Sequence, residues 1–361
     1  MLTSLEIKNF RAFSHLVIER LGRVNLIVGK NKVGKTTLLE AMQLYDAGGS
    51  VRAIASILHD RDEVRIDRDA GTAVPMLDML FNKTAEPGIS DTLAIGPHSI
   101  DEGSSEWLFI SANDVGLAPR DNGDFQRAGT LDVGSLTISF RGDPIGVPRE
   151  KLLLRQDSGQ KPAVAAPFVS TRRHSETEIG LWWDEIVLTD LKGELIESLR
   201  FMIPTLLDIA VIAHPLDPYR RMAMVRTSNI AGPIPLRSLG DGAVRLFTIA
   251  VALQYRSFCS ERGEVGRFLL VDEIETGIHH TLHVRLWKSL FRLAEIGDVQ
   301  IFATTHSLDC LRGFAEAAVE DEAADAQVVR LEREEEEEET RAVVIDRQKL
   351  PFVIRDSIEV R

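Results

Sequence analysis

The stretch Asn25–Thr37, NLIVGKNKVGKTT, spaces its residues as G-x-x-x-x-G-K-[ST], a loop that wraps phosphate. Gly29 and Gly34 let the backbone turn, so that the amides along Lys30, Asn31, Lys32 and Val33 point inward at phosphate oxygens. Lys35 has the charge and reach for the β- and γ-phosphates. The Thr36 hydroxyl suits Mg²⁺, and Thr37 closes the nucleotide-binding set. A helix beginning near Lys35 adds its positive end to the anion. An apolar strand before the loop and a helix directly after it supply the context that the pattern requires.

Three further stretches fit the same chemistry. RFLLVDE places Asp272 and Glu273 at the exit of a buried strand, where two carboxylates are costly unless they meet a metal or water. Asp272 suits the Mg²⁺ contact, mostly through water, and Glu273 can polarise an attacking water as general base. LRSLGDGAVRLFTIAVAL is a glycine-rich turn opening a long helix, so Ser238, Gly240 and Gly242 mark a second anion site. It has no lysine and stands far along the chain from the first loop. IFATTHS ends a strand at His306, which can hydrogen-bond a γ-phosphate or its attacking water. GLWWDEIVL offers a decoy: Asp184 and Glu185 follow Gly and two Trp and read as a surface helix start.

The elements that must hold these residues alternate. SLEIKNF and HLVIERL alternate like strands, NLIV is a short apolar run, and KTTLLEAMQLY has helical period. From about 46 to 235 Gly and Pro recur, around strand-like EWLFISA and SLTISF. A helix is expected over ELIESLRFMIPTLLDI, interrupted at Pro204. From 236 onward helix AVRLFTIAVALQYRSF, strand FLLVDE, helix HTLHVRLWKSLFRLAEIG, strand VQIFATTHS and helix LDCLRGFAEAA imply a mostly parallel sheet. QVVRL and RAVVI read as a C-terminal hairpin with the acidic run Glu332–Glu339 as its solvated tip. The expected architecture is an α/β nucleotide-binding core, residues 1–45 and 236–361, split by an insertion over 46–235.

Composition narrows the class. Of 361 residues, 44% are hydrophobic and 27% charged, ordinary for a soluble chain that buries a core. No run of 18 apolar residues spans a membrane, and the N-terminus lacks the layout of a secretion signal. Cys259 and Cys310 are far apart and read as buried reduced thiols of a cytoplasmic protein. A net charge of −13 argues against a whole-surface nucleic-acid binder but permits a local basic patch. Candidates are Arg172-Arg173-His174, Arg220-Arg221, Arg149, Lys151 and Arg155. His279, His280 and His283 share a helix face but lack a defined carboxylate, so a zinc site is the weaker reading.

This set, in this order, resembles the ABC-type ATPase superfamily, and more closely the OLD/RecF/SMC-like branch, among its stand-alone AAA-type ATPases without a Toprim nuclease domain. SLEIKNFRAF resembles the opening of such heads, GKNKVGKTT the Walker A, and SLGDG the signature motif. FLLVDEIETGIH resembles the Walker B with its following D-loop, and ATTHS the switch-histidine segment. LWWDEIVLT and VVIDRQKLPFVIRDSIEVR are similar to this group as well. The resemblance implies an ABC-type P-loop ATPase head with a mixed N-terminal β lobe and a parallel-sheet core. It implies ATP and Mg²⁺, with Lys35 and Thr36 on nucleotide and metal, Asp272 supporting the metal, Glu273 as base and His306 sensing the γ-phosphate. It also implies a homodimer, open to higher assembly, in which Ser238 and Gly240 act in trans.

Lys32-Val33 stands where small or polar residues are more usual, and SLGDG departs from the LSGGQ of transporters. Gln126 and Gln156 are the candidates for a Q-loop glutamine. A transporter ATPase is not expected to open with SLEIKNFRAF, and an SMC tether needs far more heptads than the 236 positions from Thr36 to Asp272. Only 55 residues follow His306, too few for a Toprim domain, so nuclease activity is not expected within this chain, and a separate subunit is the open alternative. Two functions follow: an ATP-hydrolysing sensor acting with nucleic acid in repair or anti-phage defence, and an ATP-gated scaffold that assembles a partner protein.

Overall fold

The computed structural model describes residues 1–66, 73–82, 92–100, 102, 104–117, 131–152, 167–170, 176–262, 266–333, 339–345 and 347–351. The chain begins with an antiparallel pair, β1 (Leu5–Phe10) and β2 (Phe13–Ile18), then β3 (Val24–Gly29), α1 (Lys35–Asp46) and α2 (Val51–Asp60). The short β4 (Val64–Ile66) and β5 (Ala73–Pro75) pair with each other. β6 (Thr92–Gly96), β7 (Leu108–Leu117), β8 (Leu131–Ser139) and β9 (Ile145–Pro148) then extend the first pair into a six-stranded sheet ordered β2-β1-β6-β7-β8-β9.

β10 (Phe168–Val169) opens the second half, followed by α3 (Glu176–Ile186) and α4 (Leu191–Leu199). Next come β11 (Leu206–His214), β12 (Asp217–Thr227) and β13 (Ile234–Pro235), a small antiparallel sheet. A 3₁₀ turn at Leu236–Leu239 leads into α5 (Asp241–Glu261). The chain continues through β14 (Phe268–Val271), α6 (His283–Ile296), β15 (Gln300–Thr304), α7 (Leu308–Glu320), β16 (Ala326–Arg333) and β17 (Thr340–Ile345). The second six-stranded sheet is ordered β10-β14-β15-β3-β16-β17, parallel except for the last pair.

Both faces of that sheet are covered, which is why its strands read as unbroken apolar runs. Val24, Leu26, Val28, Leu269, Val271, Ile301 and Ala303 lie in one core with α5, α6 and α7. Ile27, Leu270, Phe302 and Val329 lie in the other, with α1 and the antiparallel sheet. The middle segment, 46–235, therefore supplies four strands of the first sheet and the edge strand β10 of the second.

Two local expectations are corrected. The expected helix ELIESLRFMIPTLLDI stops at Leu199, and its second half is β11. Pro204 denies the helix a donor there. The alternating chain beyond it pairs instead with β12, Ile209 opposite Val225 and Val211 opposite Ala223. Asp184 and Glu185 lie in the last turn of α3 rather than at its start, and Asp184 binds Arg221. β16 and β17 form the expected hairpin, its tip at 334–338 lying outside the described residues, as do 352–361. Both cysteines are buried and neither is in a disulfide, and among the described residues no helix is long and apolar enough to cross a membrane.

One ion pair joins the C-terminal parts of α1 and α5, the two helices that open at glycine-bearing turns. Arg256 of α5 is fully buried and binds Asp46, the last residue of α1. Burial pushes the Asp46 carboxyl up to about 6 against the pull of Arg256 and of the amides of Arg267 and Phe268. Removing the cation strands a buried carboxylate, so Arg256→Ala is expected to lower the unfolding free energy by about 3–5 kcal/mol. Denaturant titration measures it, and a loss under about 1 kcal/mol is the value of a solvated pair and contradicts this account.

Candidate active site

The carboxyl ends of three neighbouring parallel strands, β14, β15 and β3, bring the chemistry-bearing residues to one edge of the sheet. Open α/β sheets bind ligands at that edge. β3 runs into the phosphate loop, where Lys32 at φ 66 and Gly34 at φ 106 are both left-handed before α1 starts. Lys30, Asn31 and Lys32 are exposed, whereas Val33 is buried among apolar residues of the N-terminal core. An apolar side chain is thereby accommodated where a small or polar one is usual. Lys35 is folded back, its Nζ donating to the carbonyls of Gly29 at 2.6 Å and Lys30 at 2.9 Å. Burial lowers its pKa, opposed by the carboxylates of Asp272, Glu273 and Glu275.

Asp272 is the hub. Its Oδ2 accepts from the Thr36 hydroxyl at 3.2 Å and its Oδ1 from the Thr304 hydroxyl at 2.5 Å. The same Thr304 oxygen accepts the Glu273 amide at 2.9 Å. The Thr36 hydroxyl and Asp272 carboxylate form a hard-oxygen pair of the kind Mg²⁺ prefers. Their 3.2 Å separation is close to the ~3 Å between neighbouring ligands of an octahedral Mg²⁺. Glu273 adopts φ 46, a left-handed backbone uncommon for a side-chain-bearing residue, and its Oε1 lies 3.3 Å from His306 Nε2. The His306 amide donates to Glu275 Oε1 at 2.9 Å.

Four positioning side chains escaped the reading of the sequence. Thr304 and Glu275 sit inside the quoted motifs, and each holds a neighbour. Arg245 is the only basic residue in the apolar run AVRLFTIAVAL. It donates to the carbonyls of Asp272 and Ser170, tying α5 to the exits of β14 and β10. Burial lowers its pKa while Asp272, Glu275 and Glu273 oppose that. Arg61, just beyond α2, donates to Thr37 Oγ1 at 3.3 Å and to Glu40 at 2.6 Å, which Arg11 also contacts.

Ser238 is exposed in the 3₁₀ turn, and Gly240, at φ 100, precedes α5. Gly242 is pressed against the loop after β14, where an added Cβ would lie 2.2 Å from the Gly277 carbonyl oxygen. Among the described residues no backbone hydrogen bond joins Ser238, Gly240 or Gly242 to the phosphate loop. The structure thus brings together every expected site residue except this turn.

Other candidates do not assemble. His283 is buried while His279 and His280 are exposed, and among the described residues no cluster of three or more His, Cys, Asp or Glu is placed as a metal site, so the zinc reading finds no support. Arg149 and Lys151 lie on a 3₁₀ turn packed on α2, β5, β8 and β9, whereas Arg220 and Arg221 lie on β12, packed on α3 and β11. Arg155, Arg172, Arg173, His174, Gln126 and Gln156 lie outside the described residues.

Parts of the chain are similar to known proteins. Residues 224–311 match the family described as "AAA domain, putative AbiEii toxin, Type IV TA system", and residues 1–51 match "AAA ATPase domain". The chain is 23% identical over 326 residues to the OLD nuclease of Thermus scotoductus, covering 85% of this chain and 59% of that protein. It is 28% identical over 142 residues to the DNA replication and repair protein RecF of Lachnoclostridium phytofermentans, covering 38% and 39%. These matches span less than two thirds of each relative's length. Among solved structures, a Smc head domain bound to the C-terminal domain of ScpA, from Pyrococcus furiosus, superposes with a TM-score of 0.51. The identity is 11%, over 99% of both chains. The chain is thus similar in parts to AAA ATPase domains, to an OLD nuclease and to RecF, and it has the fold of an SMC head.

Thr304→Val keeps the shape of the side chain and deletes the oxygen shared by Asp272 and Glu273. Loss of such an outer partner is expected to weaken Mg²⁺ binding to the nucleotide-loaded protein about 10–100-fold, beside a loss of about 1–3 kcal/mol in unfolding free energy from the Glu273 amide left without its acceptor. Mg²⁺ titration with a fluorescent nucleotide reads the effect, and unchanged Mg²⁺ dependence contradicts the role given to Thr304.

Proposed function

We propose that this protein binds and hydrolyses ATP with Mg²⁺, and that two copies close head to tail on ATP. In this reading residues 1–45 and 236–361 form the catalytic core, and residues 46–235 are an insertion that completes the N-terminal lobe. The observation that carries the reading is Glu273, held in a left-handed backbone beside Asp272 and 3.3 Å from His306, at the mouth of the phosphate loop.

Lys35 rests on loop carbonyls, its charge disfavoured by burial. A triphosphate in the loop supplies a counter-charge, and the ammonium turns to the β- and γ-phosphates. Gly29 to Gly34 offer their amides, and Thr37 adds its hydroxyl. Thr36 and Asp272 would hold Mg²⁺, and the ion would supply charge neutralisation for the phosphates. The Glu273 carboxylate takes a proton from the attacking water, and His306 hydrogen-bonds the γ-phosphate. The turn at Ser238, Gly240 and Gly242 makes no backbone hydrogen bond to its own loop among the described residues and serves the γ-phosphate of a second copy.

The RecF relatives are named for DNA replication and repair, which supports work on DNA. On this reading the protein acts in repair or anti-phage defence with a separate effector such as a Toprim-like nuclease subunit. A cytoplasmic site of action follows from that role. ATP turnover is measured with and without double-stranded DNA, beside Lys35→Ala and Glu273→Gln, with mass followed by light scattering. The expected result is turnover stimulated several-fold by DNA, lost in both variants, with Glu273→Gln trapped as an ATP-bound dimer. Turnover indifferent to DNA with ATP-driven assembly intact favours the gated scaffold. Neither turnover nor dimer overturns the proposal.

A further inference from the structure

We infer that a second ligand site lies beside the signature turn, built for a small organic anion with an apolar body. A cleft of about 250 Å³ opens between α3, β12, the 236–239 turn and α5. Its floor is apolar, with Val211, Leu236 and Phe247 all buried. Its rim carries His214, Arg220, Arg221 and Arg237, and among the described residues no carboxylate lines it.

The rim is held in place. Gly180 on α3 leaves room for the stem of Arg221, since an added Cβ would lie 2.7 Å from Arg221 Cγ. One turn further along α3, Asp184 accepts from Arg221 Nη2 at 2.6 Å, and the Val211 carbonyl accepts from the same nitrogen at 3.4 Å. A guanidinium fixed in this way offers its remaining donors without further loss of freedom, and guanidinium groups match carboxylate and phosphate oxygens as forks.

Charge at the rim and grease at the floor select one chemistry, a carboxylate or phosphate monoester carrying a single ring or short acyl chain. The volume falls below the ~300–1,000 Å³ of drug-sized pockets, which sets that size. A nucleic-acid backbone fits less well: it needs a basic stripe along the surface and leaves a buried apolar floor unfilled.

Leu236 and Arg237 open the 3₁₀ turn that contains Ser238, while Val244 and Phe247 lie in the first two turns of α5. A bound anion therefore touches both elements that carry the proposed in-trans turn and shifts ATP turnover. That consequence, unlike the site itself, rests on the ATPase proposal.

Calorimetric titration tests the site in the full-length Lys35→Ala background, which weakens the phosphate loop as a competing binder. Phenyl phosphate and hexanoate are the probes, with phenol and inorganic phosphate as controls. Both anions are expected to saturate one site, and both controls to bind at least about tenfold more weakly. Arg220 is exposed at the rim, and Arg220→Glu is expected to weaken both anions about tenfold or more, with circular dichroism confirming that the variant is folded. The ratio of the two affinities separates a phosphate from a carboxylate ligand.

Equal binding to Arg220→Glu, phenol binding as tightly as phenyl phosphate, or no heat with either anion overturns the site. Binding of a DNA duplex lost in Arg220→Glu, with no anion binding, assigns the rim to nucleic acid and overturns it too. Anion binding that leaves the turnover of the unaltered protein unchanged removes the coupling and keeps the site. Absent turnover with anion binding intact removes only the ATPase proposal.

Discussion

The Asp272 carboxylate is the constraint on which the rest of the site depends. One of its oxygens faces Thr36 from the phosphate loop and the other faces Thr304 from β15. Three strands must therefore end at one level for the contacts to form. The parallel register of β14 with β15 and of β15 with β3 achieves this, with both sheet faces packed so that the strands cannot slide. Thr304 also fixes the Glu273 amide, which steadies the left-handed turn that presents the Glu273 side chain.

α5 is the second organising element. Its N-terminal turn presents Ser238 and Gly240, Arg245 grips the carbonyl of Asp272, and Arg256 binds the end of α1 from a fully buried position. The phosphate loop and the signature turn thus open two helices whose C-terminal parts are joined by an ion pair. Movement of either helix is felt by the other, because a buried pair without its partner is expensive. Gly242 pressed on Gly277 adds a third point of contact, between α5 and the loop after β14.

Much of this was legible in the sequence because local chemistry dictated it. The phosphate loop, the buried strand before Asp272 and the strand before His306 follow from period and residue type. Long amphipathic helices and apolar strands were legible for the same reason. What escaped depended on tertiary partners. The stretch LLDI could be a helix or a strand until β12 offered it a ladder, and Pro204 decided the boundary. Helix α2 carried a signal that went unread: Ser50 caps it by accepting from the Ala53 amide at 3.3 Å. Arg245, Thr304 and Glu275 act on backbone groups distant in sequence, so no spacing rule reveals them. Arg245 still betrayed itself as a lone cation in an apolar helix.

The central claim is that each catalytic site combines the phosphate loop of one copy with the signature turn of another. Two defective proteins test it most directly: Lys35→Ala, lacking the phosphate grip, and Gly240→Asp, with a carboxylate at the turn that should face the γ-phosphate. Each alone is expected to be inactive. Mixing them should restore ATP turnover, because a mixed dimer holds one site with both parts intact. A mixture as inactive as its components, from proteins shown by light scattering to form mixed dimers, would contradict the account and place the working site within one chain.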